Sequence, residues 1–135
     1  YAHSPESLQS ILSAVKSYTR GNVISVFGCG GDRDKGKRPI MGQISASIAD
    51  FTIITSDNPR TEDPEQIVQE IEIGAKKTKG KYIVITDRTE AIKYAIQMAT
   101  KNDIIVLAGK GHETYQEING EKHHYDEREI IKEVI

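Results

Sequence analysis

Tryptophan is absent from this 135-residue chain, phenylalanine occurs only twice, and aromatic residues make up 6% of it. So sparse a set argues against a stacking platform for nucleobases. The lone cysteine, Cys29, can form no internal disulfide, which fits the reducing cytoplasm. An excess of either charge is also lacking. Eighteen Lys+Arg against 20 Asp+Glu leave a formal net charge of −2, so neither nucleic acid nor a membrane surface is an expected partner. No apolar run exceeds strand length, which excludes a membrane-spanning helix, and no secretory pattern opens the chain. One domain is expected, burying roughly two-thirds of the surface its unfolded chain exposes.

What is present alternates between two periodicities. Leu8, Ile11, Leu12 and Val15 fall at helical spacing, with Ser4 as N-cap and Pro5 at the first helical position. Residues 22–27 read as a strand ending in Gly28-Cys-Gly-Gly31. A helix is expected from Pro39 to about Ile48, burying Ile40, Ile44 and Ile48, followed by a strand over Phe51–Thr55. Asp63-Pro64 opens a third helix that buries Ile67, Val68, Ile71 and Ala75. Tyr82–Thr86 is a strand, and Asp87-x-x-Glu90 caps a helix burying Ala91, Ile92, Ala95, Ile96 and Ala99. Asp103–Ala108 is the fourth strand. Asn119-Gly120 then signals a hairpin, expected to add antiparallel edge strands, before a last helix capped by Asp126. The fold class is α/β, a Rossmann-like, doubly wound and mostly parallel sheet with a C-terminal antiparallel hairpin.

In such a sheet the loops at the carboxyl ends of the strands line the ligand crevice. Here they are residues 28–38, 56–63, 87–89 and 109–113, and three of the four are dense in glycine and charge. Asp57-Asn58-Pro59-Arg60 is matched to a zwitterion: the guanidinium can fork onto a carboxylate while Asp57 takes an ammonium. An Asn-Pro turn with solvated charges is the plainer reading of that tetrapeptide. Gly28-x-Gly30 lacks the third glycine of a dinucleotide fingerprint, because position 33 is Arg. Gly31-x-x-x-x-Gly36-Lys37 begins like a phosphate loop, yet Arg38 replaces its Ser/Thr and Asp32 and Asp34 would repel phosphates. The loop can still lend Arg33, Lys35 or Lys37 to an anion held mainly elsewhere. His112 reads as a positioning or packing residue rather than a proton carrier, His123-His124 as surface, and Cys29 as a small residue in a tight turn rather than a nucleophile. No metal ligand is convincing.

Taken together, residues 28–39, Asp57–Arg60 and Ala108-Gly-Lys-Gly-His-Glu113 resemble the Mur ligase family, and its diaminopimelate-adding members in particular. The resemblance covers essentially the whole chain. Tyr1-Ala-His3-Ser-Pro5 is similar to the opening of the family's C-terminal domain, without the Asp that precedes that Tyr in the family. It implies that residues 1–135 form one amino-acid-binding domain. The domain for the uridine nucleotide, and the central domain with the ATP phosphate loop, magnesium ligands and a modified lysine, would lie outside this sequence. The activity implied is ATP- and Mg2+-dependent amide formation between meso-diaminopimelate and UDP-N-acetylmuramoyl-L-alanyl-D-glutamate in peptidoglycan synthesis, with the isolated domain inactive. Arg33 and Arg60 would face the distal amino-acid head of diaminopimelate, with Asp57, Asn58, Gly109 and Glu113 completing the pocket. Tyr1, His3, Asp32 and Lys35 would lie near the nucleotide. Two rivals are a stand-alone, non-catalytic α/β module for a small zwitterion, and a nucleotide-cofactor oxidoreductase that the broken fingerprint disfavours.

Overall fold

Ser4 caps the first helix as its sequence requires, its hydroxyl accepting from the Ser7 amide at 3.1 Å. The computed structural model describes residues 4–108, 115–118 and 121–124. The expected last helix and the Asn119-Gly120 turn fall outside them. The elements are α1 (Pro5–Tyr18), β1 (Val23–Phe27), α2 (Lys37–Ile48), β2 (Phe51–Ile54), α3 (Pro64–Ala75), β3 (Tyr82–Val84), α4 (Arg88–Met98), β4 (Ile104–Leu107), β5 (Tyr115–Ile118) and β6 (Glu121–His124). Strands β1 to β4 form a parallel sheet in the order β3-β2-β1-β4. The chain steps from β1 out to β3 and then crosses back to place β4 on the other side of β1. That reversal opens a crevice at the carboxyl end of β1.

Both faces of the sheet are covered, which is why β1 is buried along its whole length. Val23 and Phe27 point to the face packed by α1, α2 and α3. Ile24 and Val26 point to the other, against Ala91 and Ala95 of α4. One polar contact interrupts the first core. Ser25 and Thr52 are paired across β1 and β2. The buried Ser45 hydroxyl of α2 lies 2.9 Å from that of Ser25 and 2.8 Å from that of Thr52. Three buried hydroxyls thus serve as one another's hydrogen-bond partners.

Several expectations are corrected. Helix α2 starts at Lys37, not Pro39, through turn bonds from the Lys37 and Arg38 amides to the Asp34 and Lys35 carbonyls. Pro39 fits there because first-turn amides have no intrahelical acceptor. Its buried stripe is Arg38, Met41, Gly42, Ser45 and Ala46; Ile40 is 50% exposed, and Ile44 and Ile48 pack at the core margin. Small residues win this face because α3 lies so close. A Cβ on Gly42 would overlap the Ile71 carbonyl, and one on Gly74 would overlap the Pro39 carbonyl. In α1, Ile11 is 41% exposed while Leu8, Leu12 and Val15 are buried. Finally, β5 and β6 pair with each other in a separate two-stranded sheet and do not extend the parallel one.

The reciprocal glycine contact makes a stability prediction. Gly42→Ala and Gly74→Ala should each destabilise the chain by about 1–3 kcal/mol, as overpacking does, despite alanine's better helix propensity. Chemical unfolding of both variants measures this; a stabilised variant would show that the helices separate freely.

Candidate functional site

Strands β1 and β2 end side by side, so their following loops meet at the crevice. Gly31 allows the meeting: a side chain there would run into the Pro59 carbonyl. Its amide donates to the Asn58 carbonyl at 2.7 Å. In return Nη1 of Arg60 donates to the Gly31 carbonyl at 3.0 Å. Around this point lies a cavity of about 380 Å³ lined by Gly30, Arg33, Lys37, Asp57, Asn58 and Arg60, among others. Arg33, Asp57, Asn58 and Arg60, singled out in the sequence, are therefore brought to one concavity. Asp57 and Asn58 are buried, at 4% and 3% exposure, whereas Arg33 is exposed and Arg60 half-buried. Atoms of both arginines lie against Gly30, Arg60 through Nη1 and Arg33 through Cγ. A larger opening, about 960 Å³, sits at the amino ends of the strands among Asn22, Asp50, Lys79 and Lys81. It has none of the glycine-and-arginine loop chemistry, and the smaller cavity is the stronger candidate.

Beneath the cavity runs a set of contacts the sequence reading did not foresee. Arg38, 1% exposed, forks onto Glu62 at 2.8 and 2.9 Å, reaches Glu70 at 3.2 Å, and donates to the Gly30 carbonyl at 3.0 Å. Glu62 also accepts the Asp32 amide at 2.7 Å. The Asp32 carboxylate accepts the Thr61 hydroxyl at 2.6 Å and the Thr61 amide at 3.4 Å. Asp32 and Arg60 both sit in the left-handed region, at φ 55° and 54°. At the start of α4 Arg88, 2% exposed, donates to the Ser56 and Ala108 carbonyls at 3.0 and 3.2 Å, tying the ends of β2 and β4. Gly109, His112 and Glu113, like Tyr1 and His3, lie outside the described residues.

The phosphate-loop resemblance does not survive the geometry. Asp34 accepts the Gly36 amide at 2.9 Å, so a carboxylate occupies the turn where phosphate would lie. Arg38 turns inward, while Lys35 and Lys37 are exposed. Among the described residues no group of three or more acidic, His or Cys side chains could hold a metal. These residues do not fit a magnesium–triphosphate site. Cys29 packs its sulfur 3.8 Å from that of Met41, and burial pushes its thiol up to about 12, which leaves it no thiolate near neutrality. No helix among the described residues is long and apolar enough to cross a membrane.

A family model described as "Mur ligase, glutamate ligase domain" matches residues 1–111. The chain belongs to the Mur ligase family. A UDP-N-acetylmuramoyl-L-alanyl-D-glutamate–2,6-diaminopimelate ligase of Caldanaerobacter subterraneus is 56% identical over all 135 residues, and one of Clostridium acetobutylicum is 53% identical. A solved structure of a UDP-N-acetylmuramoyl-L-alanyl-D-glutamate–2,6-diaminopimelate ligase superposes over 100% of the chain with a TM-score of 0.94 and 47% identity. The chain spans 28% of the length of each. This Mur ligase domain thus has the parallel α/β architecture of its solved relative.

The Arg38–Glu62 pair beneath the cavity should contribute to the acid limb of stability. The Arg38 hydrogen bonds, then the Asp32 amide, lower the Glu62 carboxyl from its ordinary 4.5 to about 2. The unfolded chain therefore takes up this proton first. The contribution is fully present above the ordinary value and is lost as pH falls towards the folded one. Denaturant unfolding of wild type and Glu62→Gln from neutral pH downwards should show a stability gap that closes over that window. A gap independent of pH would contradict the assignment.

Proposed function

We propose that residues 1–135 are the acceptor-binding C-terminal domain of a cytoplasmic, MurE-type ligase that joins meso-diaminopimelate to UDP-N-acetylmuramoyl-L-alanyl-D-glutamate. The observation that carries this is the cavity where Arg33, Asp57, Asn58 and Arg60 converge. Diaminopimelate bears an amino-acid head at each end. Arg60 and Arg33 would pair with the distal carboxylate, and Asp57 with an ammonium, from one wall of the pocket. Gly109 and Glu113, on the loop after β4, would complete it by the family resemblance.

The opposite amine is then presented to an acyl phosphate of the nucleotide substrate. The amine nitrogen bonds the carbonyl carbon, its proton is released, and phosphate leaves with the C–O bond. ATP supplies that phosphoryl group with Mg2+ at a site the described residues do not build, which the central domain of a longer chain would carry by the family resemblance. What this domain contributes is orientation: a bound, aligned amine reacts as if at high local concentration.

Arg60→Asn tests the reading without altering the backbone, since asparagine tolerates the left-handed conformation. Removing one side of a desolvated Arg–carboxylate pair should weaken meso-diaminopimelate binding by about 2–5 kcal/mol. L-lysine, which has no distal carboxylate, should bind as before, and any fall in melting temperature should be small, reflecting the lost Gly31 hydrogen bond. Amide-shift titrations of the labelled chain with both ligands measure this. Equal losses for the two ligands, or no loss, would remove Arg60 from the site.

A further inference from the structure

Two cations can select a ligand by the spacing of its charges only if their own spacing is fixed. Arg33 and Arg60 stand on different loops, and Arg33 is exposed. The residue before Arg33 and the residue after Arg60 are, however, bonded to each other: Asp32 accepts both the hydroxyl and the amide of Thr61. One step further, Glu62 accepts the Asp32 amide. On the inner side Gly31 and Asn58 close the ladder at 2.7 Å. Both loops thereby become one closed ring of hydrogen bonds, seated on the Arg38 guanidinium. The left-handed φ values of Asp32 and Arg60 lie inside that ring. Non-glycine residues hold such conformations where their surroundings over-determine them.

We infer that Asp32 and Thr61 are positioning residues: their clasp holds Arg33 and Arg60 at the separation that selects an acceptor with a charged distal carboxylate. The inference rests on the acceptor-site reading above and adds to it a source of specificity outside the ligand contacts. It also gives the Asp32 carboxylate a partner in Thr61 in place of a nucleotide role. Thr61 itself does not line the cavity. Its hydroxyl acts through the loop geometry, and a lysine acceptor, which lacks the distal carboxylate, does not need that geometry.

Thr61→Val removes the hydroxyl at an exposed site with little change of shape, and Thr61→Ser restores it. The readout is the ratio of meso-diaminopimelate to L-lysine affinity, from amide shifts of the labelled chain, beside the melting temperature. Thr61→Val should lower the ratio about fivefold or more, the scale of one intramolecular hydrogen bond, with at most a small fall in melting temperature. Thr61→Ser should recover the wild-type ratio. An unaltered ratio in the valine variant would overturn the inference while leaving the acceptor site standing. A serine variant no better than valine would overturn it too. Wild type that binds neither ligand would instead sink the acceptor reading itself, and the clasp's role with it.

Discussion

A guanidinium that is 1% exposed must have its charge answered within the protein, and Arg38 is answered by Glu62, Glu70 and the Gly30 carbonyl. Those partners belong to three different segments: the loop after β2, helix α3 and the loop after β1. Desolvating such a cation is costly unless the geometry is good. The forked arrangement with Glu62 supplies that geometry and raises the Arg38 pKa further above its ordinary value. If either loop moved outward, a buried charge would lose its partners. The network therefore favours a single arrangement of both loops, and it does so from below, leaving the cavity surface to other residues.

The rest of the site follows from that anchoring. Helix α2 can carry Arg38 into the interior because Gly42, Ser45 and Ala46 let it lie close to α3 and the sheet. The sheet order brings the ends of β1 and β2 together at the switch point, and Arg88 fixes the end of β2 against β4. Above this base Asp57, Asn58 and Arg60 line the cavity, held by the hydrogen bonds between the two loops. A pocket organised in advance loses less entropy on binding than one assembled by the ligand. If the domain aims one amine, as proposed, rigidity in these loops would serve the chemistry directly.

Much of the architecture was legible because local signals agreed. Ser4, Asp63 and Asp87 cap the helices they precede, and each apolar run of strand length became a strand. The Asp-Asn-Pro-Arg segment was readable as chemistry because it follows such a run at the sheet edge. The buried Arg38 and Arg88 were not, since an arginine where a loop enters a helix is ordinarily solvated. A signal was there. Arg38 precedes Met41, Gly42 and Ser45 at spacings of three, four and seven, and Arg88 precedes Ala91, Ile92 and Ala95 likewise. Each begins the buried stripe of its helix. In α2 the isoleucines drew attention away from that stripe, because hydrophobicity outweighed the small residues that set the close approach to α3. The hairpin's own two strands were apparent, but not the sheet they would join.

A crystal structure of this chain with meso-diaminopimelate bears most directly on the central claim, that the joined loops after β1 and β2 form the acceptor site. The account predicts the ligand in the cavity beside Gly30, one carboxylate bonded to Arg60 and facing Arg33, with the contacts of Arg38, Asp32 and Thr61 unchanged. A ligand seated elsewhere, or loops that separate to admit it, would contradict the account.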